Sequence, residues 1–384
     1  MTTDTGLDAD RLQRLKRVIE DDIAAGRYLG AAFAVARHGR LGMLEAVGTK
    51  RSDDPSSVST DSVFSLFSLT KAFTNVLVLR AVEMGYFALT TRVSEIIPEF
   101  SGKPRENIRV DHLLTHRTGL PPVFTVEPGM PIDRLDVVIK AICEKLHGVE
   151  EPGGRVAYSP MAAHALMGEM LRRTDPLGRS YRDIVHQDLF EPLGMTSTGI
   201  GARPHLKARH IPPELPQGFP ASHPSHNSDE RHGAFVDPDA EMPWVGGVSS
   251  AGDILRFAEM LRGGGQLDGA RILSARTLQQ ATRNYTGKAA NEIYKSLALS
   301  RGWIPYPAYI GLGFLLRGDA ICHHQFGTLS TPQTFGNHGA GSTLFWVDPE
   351  LDLTFVCLTT QLMNEGDNIE RFQRLSDIVV SAAL

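Results

Sequence analysis

A chain of 384 residues with 42% hydrophobic and 22% charged residues has an ordinary globular composition. It is long enough to bury a large core, either as two domains or as one domain with a sizeable insertion. A formal net charge of −5 without a long basic run offers nothing to nucleic acid or to an anionic membrane, so a small-molecule partner is expected.

The segment Met1 to Asp8 has neither a basic nor an apolar signal region, and no later stretch approaches twenty apolar residues. Cys143, Cys322 and Cys357 lie far apart without a Cys-x-x-Cys pair and read as reduced core residues of a cytoplasmic protein. Leu12, Leu15, Val18, Ile19 and Ile23 recur at helical spacing and predict an amphipathic helix over Asp8 to Ile23. The short apolar runs Gly30 to Ala36 and Leu41 to Val47 flank Arg37-His38-Gly39-Arg40 and predict a β-hairpin.

Next comes Phe64-Ser65-Leu66-Phe67-Ser68-Leu69-Thr70-Lys71, which opens an apolar run ending near Gly85. If that run is a helix, Ser68 and Lys71 share a face, and the helix is buried between layers. A serine hydroxyl needs a base to become a nucleophile, and a lysine desolvated among apolar neighbours has its pKa lowered towards that task. The plainer alternative, an N-capping serine and a surface lysine, stays open on this motif alone.

Helical pieces separated by loops follow to about Gly148. His116, before Gly119-Leu120-Pro121, reads as a structural hydrogen-bond donor and is left out of the site. Pro152-Gly153-Gly154 presents Tyr158 just ahead of a helix through Ala163, Leu166 and Met170, either facing a cleft or half-buried in ordinary packing. The proline-rich stretch 201–243 holds His205, His210, His223, His226 and His232, but without helical or short fixed spacing, so it reads as a loop or lid and not as a metal site. Beyond Trp244-Val245-Gly246-Gly247, a helix over Ile254 to Leu261 is capped by Ser250 or Asp253. Strands are expected at 311–316, 342–347 and 353–358, and a closing helix at 369–384.

Sheet elements at both ends around a helical middle imply an α+β fold, with 1–60 and 300–384 forming a sheet subdomain and 61–299 a mostly helical one. Taken in order, several segments carry a resemblance. They are Ser68-Leu69-Thr70-Lys71, Leu113 to Pro121, Pro152-Gly153 leading to Tyr158-Ser159, Pro192-Leu193-Gly194-Met195, Gly246 to Ser250, and Phe335-Gly336-Asn337-His338-Gly339-Ala340-Gly341. The chain resembles the serine β-lactamase and penicillin-binding-protein superfamily over nearly its whole length. The likeness is greatest to the branch of cytoplasmic family VIII carboxylesterases, transacylases and class C β-lactamases.

The resemblance implies a β-lactamase-like fold, with an antiparallel sheet flanked by helices beside an all-helical domain and the site between them. It makes Ser68 the acylated nucleophile, Lys71 its base and Tyr158 a second proton carrier, with the backbone N–H groups of Ser68 and Ala340 as oxyanion hole. Asn337, His338, Gly339 and Trp244 would meet the substrate, and no metal or organic cofactor is needed.

Two departures bear on substrate. Tyr158-Ser159-Pro160 stands where penicillin-recognising members have Tyr-x-Asn, and Asn337-His338-Gly339 where they have Lys-Thr-Gly. The side-chain amide and the fixed cation are both missing, and a protonated His338 would restore the charge only in part. A neutral carboxylic ester, hydrolysed or used for acyl transfer, is therefore the first expectation. An amide hydrolase (a β-lactamase, D-aminopeptidase or linear-amide hydrolase) is the alternative, and a non-catalytic binding protein of the same fold is the third reading.

Overall fold

The structure is a computed structural model and describes residues 5–214, 237 and 239–384. Both ends of the chain build one six-stranded antiparallel sheet, in the order Arg40–Gly48, Gly30–Arg37, Leu353–Thr359, Thr343–Asp348, Phe335–Gly339 and Leu315–Leu316. Gly30–Arg37 is buried throughout, with Ala31, Phe33 and Val35 in one apolar cluster and Ala32, Ala34 and Ala36 in the other. That is the period of two of a strand covered on both faces. The expected hairpin turns at His38 and Gly39, both with positive φ (53° and 73°), which matches the twist of the strands they join. Asp348 closes the turn before Leu353–Thr359 by accepting from the Glu350 and Leu351 N–H groups.

Helix Ala9–Ala24, capped by Asp8, and the final helix Glu365–Ser381, capped by Asn364, cover the Phe33 face. Leu15, Ile19, Phe372 and Leu375 pack there with Trp346 and Phe355. Helix Ala251–Arg262, capped by Ser250, covers the opposite face, where the small alanines of the first strand let it come close. Helix Lys71–Glu83 is sandwiched between this unit and the helical region. Phe73 meets Phe190 and Phe257 edge-on at 5.1 and 4.9 Å, joining the two sides.

Three features depart from the sequence expectation. The final helix starts at Glu365 and not at 369. The strand expected over 311–316 shrinks to Leu315–Leu316, because Gly313 turns away at φ 88°. A second sheet, ordered Gly199–Ile200, Gly247–Ser249, Val63–Ser65 and His210–Ile211, lies within the region read as mostly helical. Strands of two or three residues carry no readable alternation, yet this sheet leads the chain straight to Ser68. Within the 201–243 stretch, His210 contacts Ser65 Oγ at 2.9 Å and His205 sits on the short helix Pro204–Lys207. His223, His226 and His232 lie outside the described residues. Among the described residues, no group of three or more His, Cys, Asp or Glu could hold a metal, and no helix is long and apolar enough to cross a membrane.

Cys357 is fully buried opposite Phe33, and burial pushes its thiol up to about 11, while Cys143 and Cys322 are half-buried and free. One buried cation supports the helical side without a carboxylate partner. The Arg105 guanidinium donates to the carbonyls of Ser101, Ile142, Cys143 and Leu146 at 2.6–3.1 Å, capping the C-terminus of helix Leu135–Lys145. Arg105→Met removes every donor while keeping the apolar stem, and is expected to cost about 3 kcal/mol, since charged donors to buried carbonyls are worth more than neutral ones. A lowered urea midpoint is the readout, and an unchanged midpoint would show that water replaces the guanidinium without loss.

Candidate active site

Ser68 does not begin the helix proper, as the sequence suggests. It lies in a 3-10 turn, Phe67–Thr70, and the α-helix starts at Lys71. Phe67 enters that turn at φ 51°, a left-handed conformation costly for an aromatic residue, and the cost is borne at the residue preceding the hydroxyl. The turn still leaves Ser68 and Lys71 adjacent, with Lys71 Nζ 3.1 Å from Ser68 Oγ.

Lys71 is 3% exposed. Its Nζ donates to the Trp244 carbonyl at 2.9 Å and has no carboxylate partner, and burial holds its pKa well below the ordinary lysine value. The rest of the helix explains how polar residues are kept in such a setting. Thr74 Oγ1 donates to the Pro243 carbonyl and contacts Tyr181 Oη, both at 2.7 Å. Asn75 donates to the Gly313 carbonyl at 2.7 Å and its Oδ1 faces His164 Nε2 at 3.0 Å.

Tyr158 reaches the same hydroxyl from the other side, donating to Ser68 Oγ at 2.8 Å. Burial, with a smaller contribution from the negative charge of Glu365, raises its pKa above the usual phenol value, so it is a protonated phenol across the physiological range. His116 fixes the segment that carries it. The His116 carbonyl accepts from Ala157 N–H at 2.9 Å and its Nδ1 accepts from Ser159 N–H at 3.1 Å. Its role is structural, as expected, but as an acceptor and not as a donor. Burial and the nearby Lys71 push its pKa down to about 3, which keeps it neutral.

These groups open onto a cavity of about 660 Å³ between the sheet and the helical side, whose remaining wall is largely apolar, with Phe124, Ile293, Leu297 and Phe314 among its residues. Ala340, directly after strand Phe335–Gly339, also lines it. Gly339 passes so close to the Ser68 turn that a Cβ there would stand 2.2 Å from the Leu66 carbonyl and 3.0 Å from the Leu69 nitrogen. Asn337 faces the cavity and donates to the Gly313 carbonyl at 3.3 Å.

One expected substrate contact is corrected, and another lines the cavity in an engaged state. Trp244 is 1% exposed and packs in the main core, so only its carbonyl serves the site, through Lys71. His338 is no free cation. Its Nδ1 takes the Gln325 amide at 3.0 Å, and its Nε2 lies 2.9 Å from both Glu365 Oε1 and Tyr294 Oη. Glu365, Tyr294 and His164 line the cavity and were missed from sequence. Glu365 opens the last helix behind an ordinary Asn364 cap, and nothing in its local sequence signals which way it faces.

Residues 15–379 match the Beta-lactamase family, and the chain belongs to that family. Penicillin-binding protein 4 of Amycolatopsis lactamdurans is 28% identical over 281 residues, which cover 72% of this chain and 71% of that protein. A penicillin-binding-protein homologue from Caulobacter crescentus superposes with a TM-score of 0.77 at 25% identity, covering 98% of this chain and 99% of that one. A family VIII carboxylesterase superposes at 0.75 with 19% identity, covering 96% and 98%, and shows the shared fold alone. The fold is thus the α+β, β-lactamase-like one that the resemblance implied.

Proposed function

We propose that the protein is a serine hydrolase or acyltransferase that works through a Ser68 acyl-enzyme on a neutral carboxylic ester. The observation that carries this reading is the position of Ser68 Oγ at the cavity floor, 3.1 Å from a desolvated amine and 2.8 Å from a phenol. Neutral Lys71 takes the Ser68 proton as Oγ attacks the ester carbonyl carbon. The backbone N–H groups of Ser68 and Ala340 hold the oxyanion that forms. The C–O bond to the alcohol then breaks and the leaving alkoxide takes the Tyr158 proton. The phenolate left behind is neutralised by the proton that Lys71 gained. Water or a second alcohol reverses these steps on the acyl-enzyme, so access to the cavity decides between hydrolysis and transfer.

The preference for esters over lactams and D-peptides rests on what the cavity lacks. Pro160 supplies no side-chain amide, Asn337 supplies no cation, and the His338 ring is occupied by a carboxylate. Among the described residues a substrate carboxylate has no free cation to pair with there. The relatives named as penicillin-binding proteins keep the amide-hydrolase reading as the competitor. Parallel assays of para-nitrophenyl butyrate, nitrocefin and D-alanine para-nitroanilide separate them. The ester is expected to be turned over with kcat/KM at least about a hundredfold above nitrocefin, the scale on which an unpaired buried charge discriminates, and also above the anilide, whose amide carbonyl is the less reactive acyl donor. Comparable rates for nitrocefin would place the protein with the lactamases.

A further inference from the structure

The cavity wall beside His338 carries a carboxylate. Glu365 Oε1 is fixed by His338 Nε2 at 2.9 Å and by the Tyr294 hydroxyl, which donates to it at 3.3 Å. Oε2 accepts no hydrogen bond from the described residues, and the side chain is 31% exposed. All three residues line the same cavity as Ser68, and the charge of Glu365 is felt at the Tyr158 hydroxyl.

Among the described residues, burial works against the positive form of every other basic group in the lining except His338. Among the described lining residues the other Lys, Arg, Asp or Glu is Lys71, whose charged form burial disfavours, as it does those of His116 and His164. Burial alone would push the Glu365 carboxyl up, but attraction to His338 and the two hydrogen bonds outweigh it and hold the carboxyl below its ordinary value. With His338 neutral the cluster carries one negative charge, and with His338 protonated it is at most neutral. In neither state does it offer a free cation.

We infer that Tyr294, His338 and Glu365 form a subsite for a cationic nitrogen, a quaternary or protonated amine carried by the ester that acylates Ser68, and that the subsite refuses carboxylates. The inference rests on the acyl-enzyme reading above and adds to it the charge class of the substrate. Glu365 Oε2 is the attracting atom, its position fixed in advance through Oε1, so little is lost in ordering it when the substrate arrives.

The test uses two isosteric ester pairs. One is the para-nitrophenyl ester of γ-trimethylammoniobutyric acid against the analogue with tert-butyl in place of trimethylammonium, which puts the charge on the acyl side. The other is acetylthiocholine against its tert-butyl isostere, which puts it on the leaving-group side. In one pair or the other, kcat/KM for the cationic ester is expected to exceed that of its isostere about tenfold, the scale of one partly desolvated charge pair. Glu365→Gln is expected to bring that ratio to about one. Ratios of one or below in both pairs with wild type, or a preference that survives Glu365→Gln, overturn the subsite. Should Glu365→Gln fail to fold, Glu365→Asp, which withdraws the charge by one methylene, is expected to reduce the ratio, and an unreduced ratio counts against the subsite. Labelling of Ser68 by a fluorophosphonate reports on the acyl-enzyme reading separately, so a labelled protein without charge preference sinks only the present inference. If Ser68 is not labelled, ligand-detected NMR with choline and its tert-butyl isostere still decides the subsite without turnover. Choline bound by wild type and lost in Glu365→Gln supports it, and equal binding of the two compounds overturns it.

Discussion

Ser68→Ala is expected to lower turnover of para-nitrophenyl butyrate by at least about four orders of magnitude, because a nucleophile and its base act as a unit and losing either removes nearly the whole effect. The geometry leaves no substitute. Lys71 Nζ has the Ser68 hydroxyl and the Trp244 carbonyl as partners, and Tyr158 Oη has Ser68 Oγ, so among the described residues no second serine or threonine hydroxyl shares both proton carriers. Mass spectrometry after fluorophosphonate treatment should find one phosphonyl adduct, on Ser68, in wild type and none in the variant. An unlabelled wild type, or a variant with near wild-type rates, would remove the acyl-enzyme from the mechanism and favour a binding protein of the same fold.

The second large effect separates the two proton carriers. Tyr158→Phe is expected to lower kcat by about two orders of magnitude, the usual scale for a positioned acid or base. The pH profile says which group does what. Lys71 is shifted down and acts as a base only when neutral, so kcat/KM rises with pH through the Lys71 pKa and then levels off. Tyr158 is shifted up, so no alkaline fall arises from it below the ordinary tyrosine range. In Tyr158→Phe the whole profile should drop while keeping its acid limb, since that limb belongs to Lys71. If the limb disappears with the phenol, Tyr158 is the base and the assignment of the two roles is reversed.

The parts of this site visible in the sequence are those with a strong local pattern. An apolar run with polar residues only at intervals favours a helix between layers, and the three-residue spacing of Ser68 and Lys71 makes them neighbours in a 3-10 turn as in an α-helix. The Gly-rich turn before Tyr158 and the Asn337-His338-Gly339 strand were found because they fall in a familiar order, and the close approach of Gly339 to Leu66 shows why a residue without a side chain is needed there. Facing directions were not visible. Trp244 has the composition of a cavity wall but turns into the core. Glu365 and Tyr294 converge on His338 from 27 and 44 residues away along the chain, a juxtaposition that only the fold creates. The small sheet behind Ser68 escaped because its strands are too short to show a period.

Lys71 carries a cost that activity measurements do not reveal. In the unfolded chain its amine has the ordinary lysine pKa, whereas in the folded protein burial favours the neutral form, so between the two pKa values folding itself releases a proton. The unfolded state binds more protons over the whole interval between the lowered and the ordinary lysine pKa. This group therefore makes the fold weaker as the solution becomes more acid, until the folded-state pKa is reached, and stronger as it becomes more alkaline. A methionine at position 71 would relieve that burden while removing the base. The residue that readies Ser68 for attack is thus retained against the interest of the core that surrounds it.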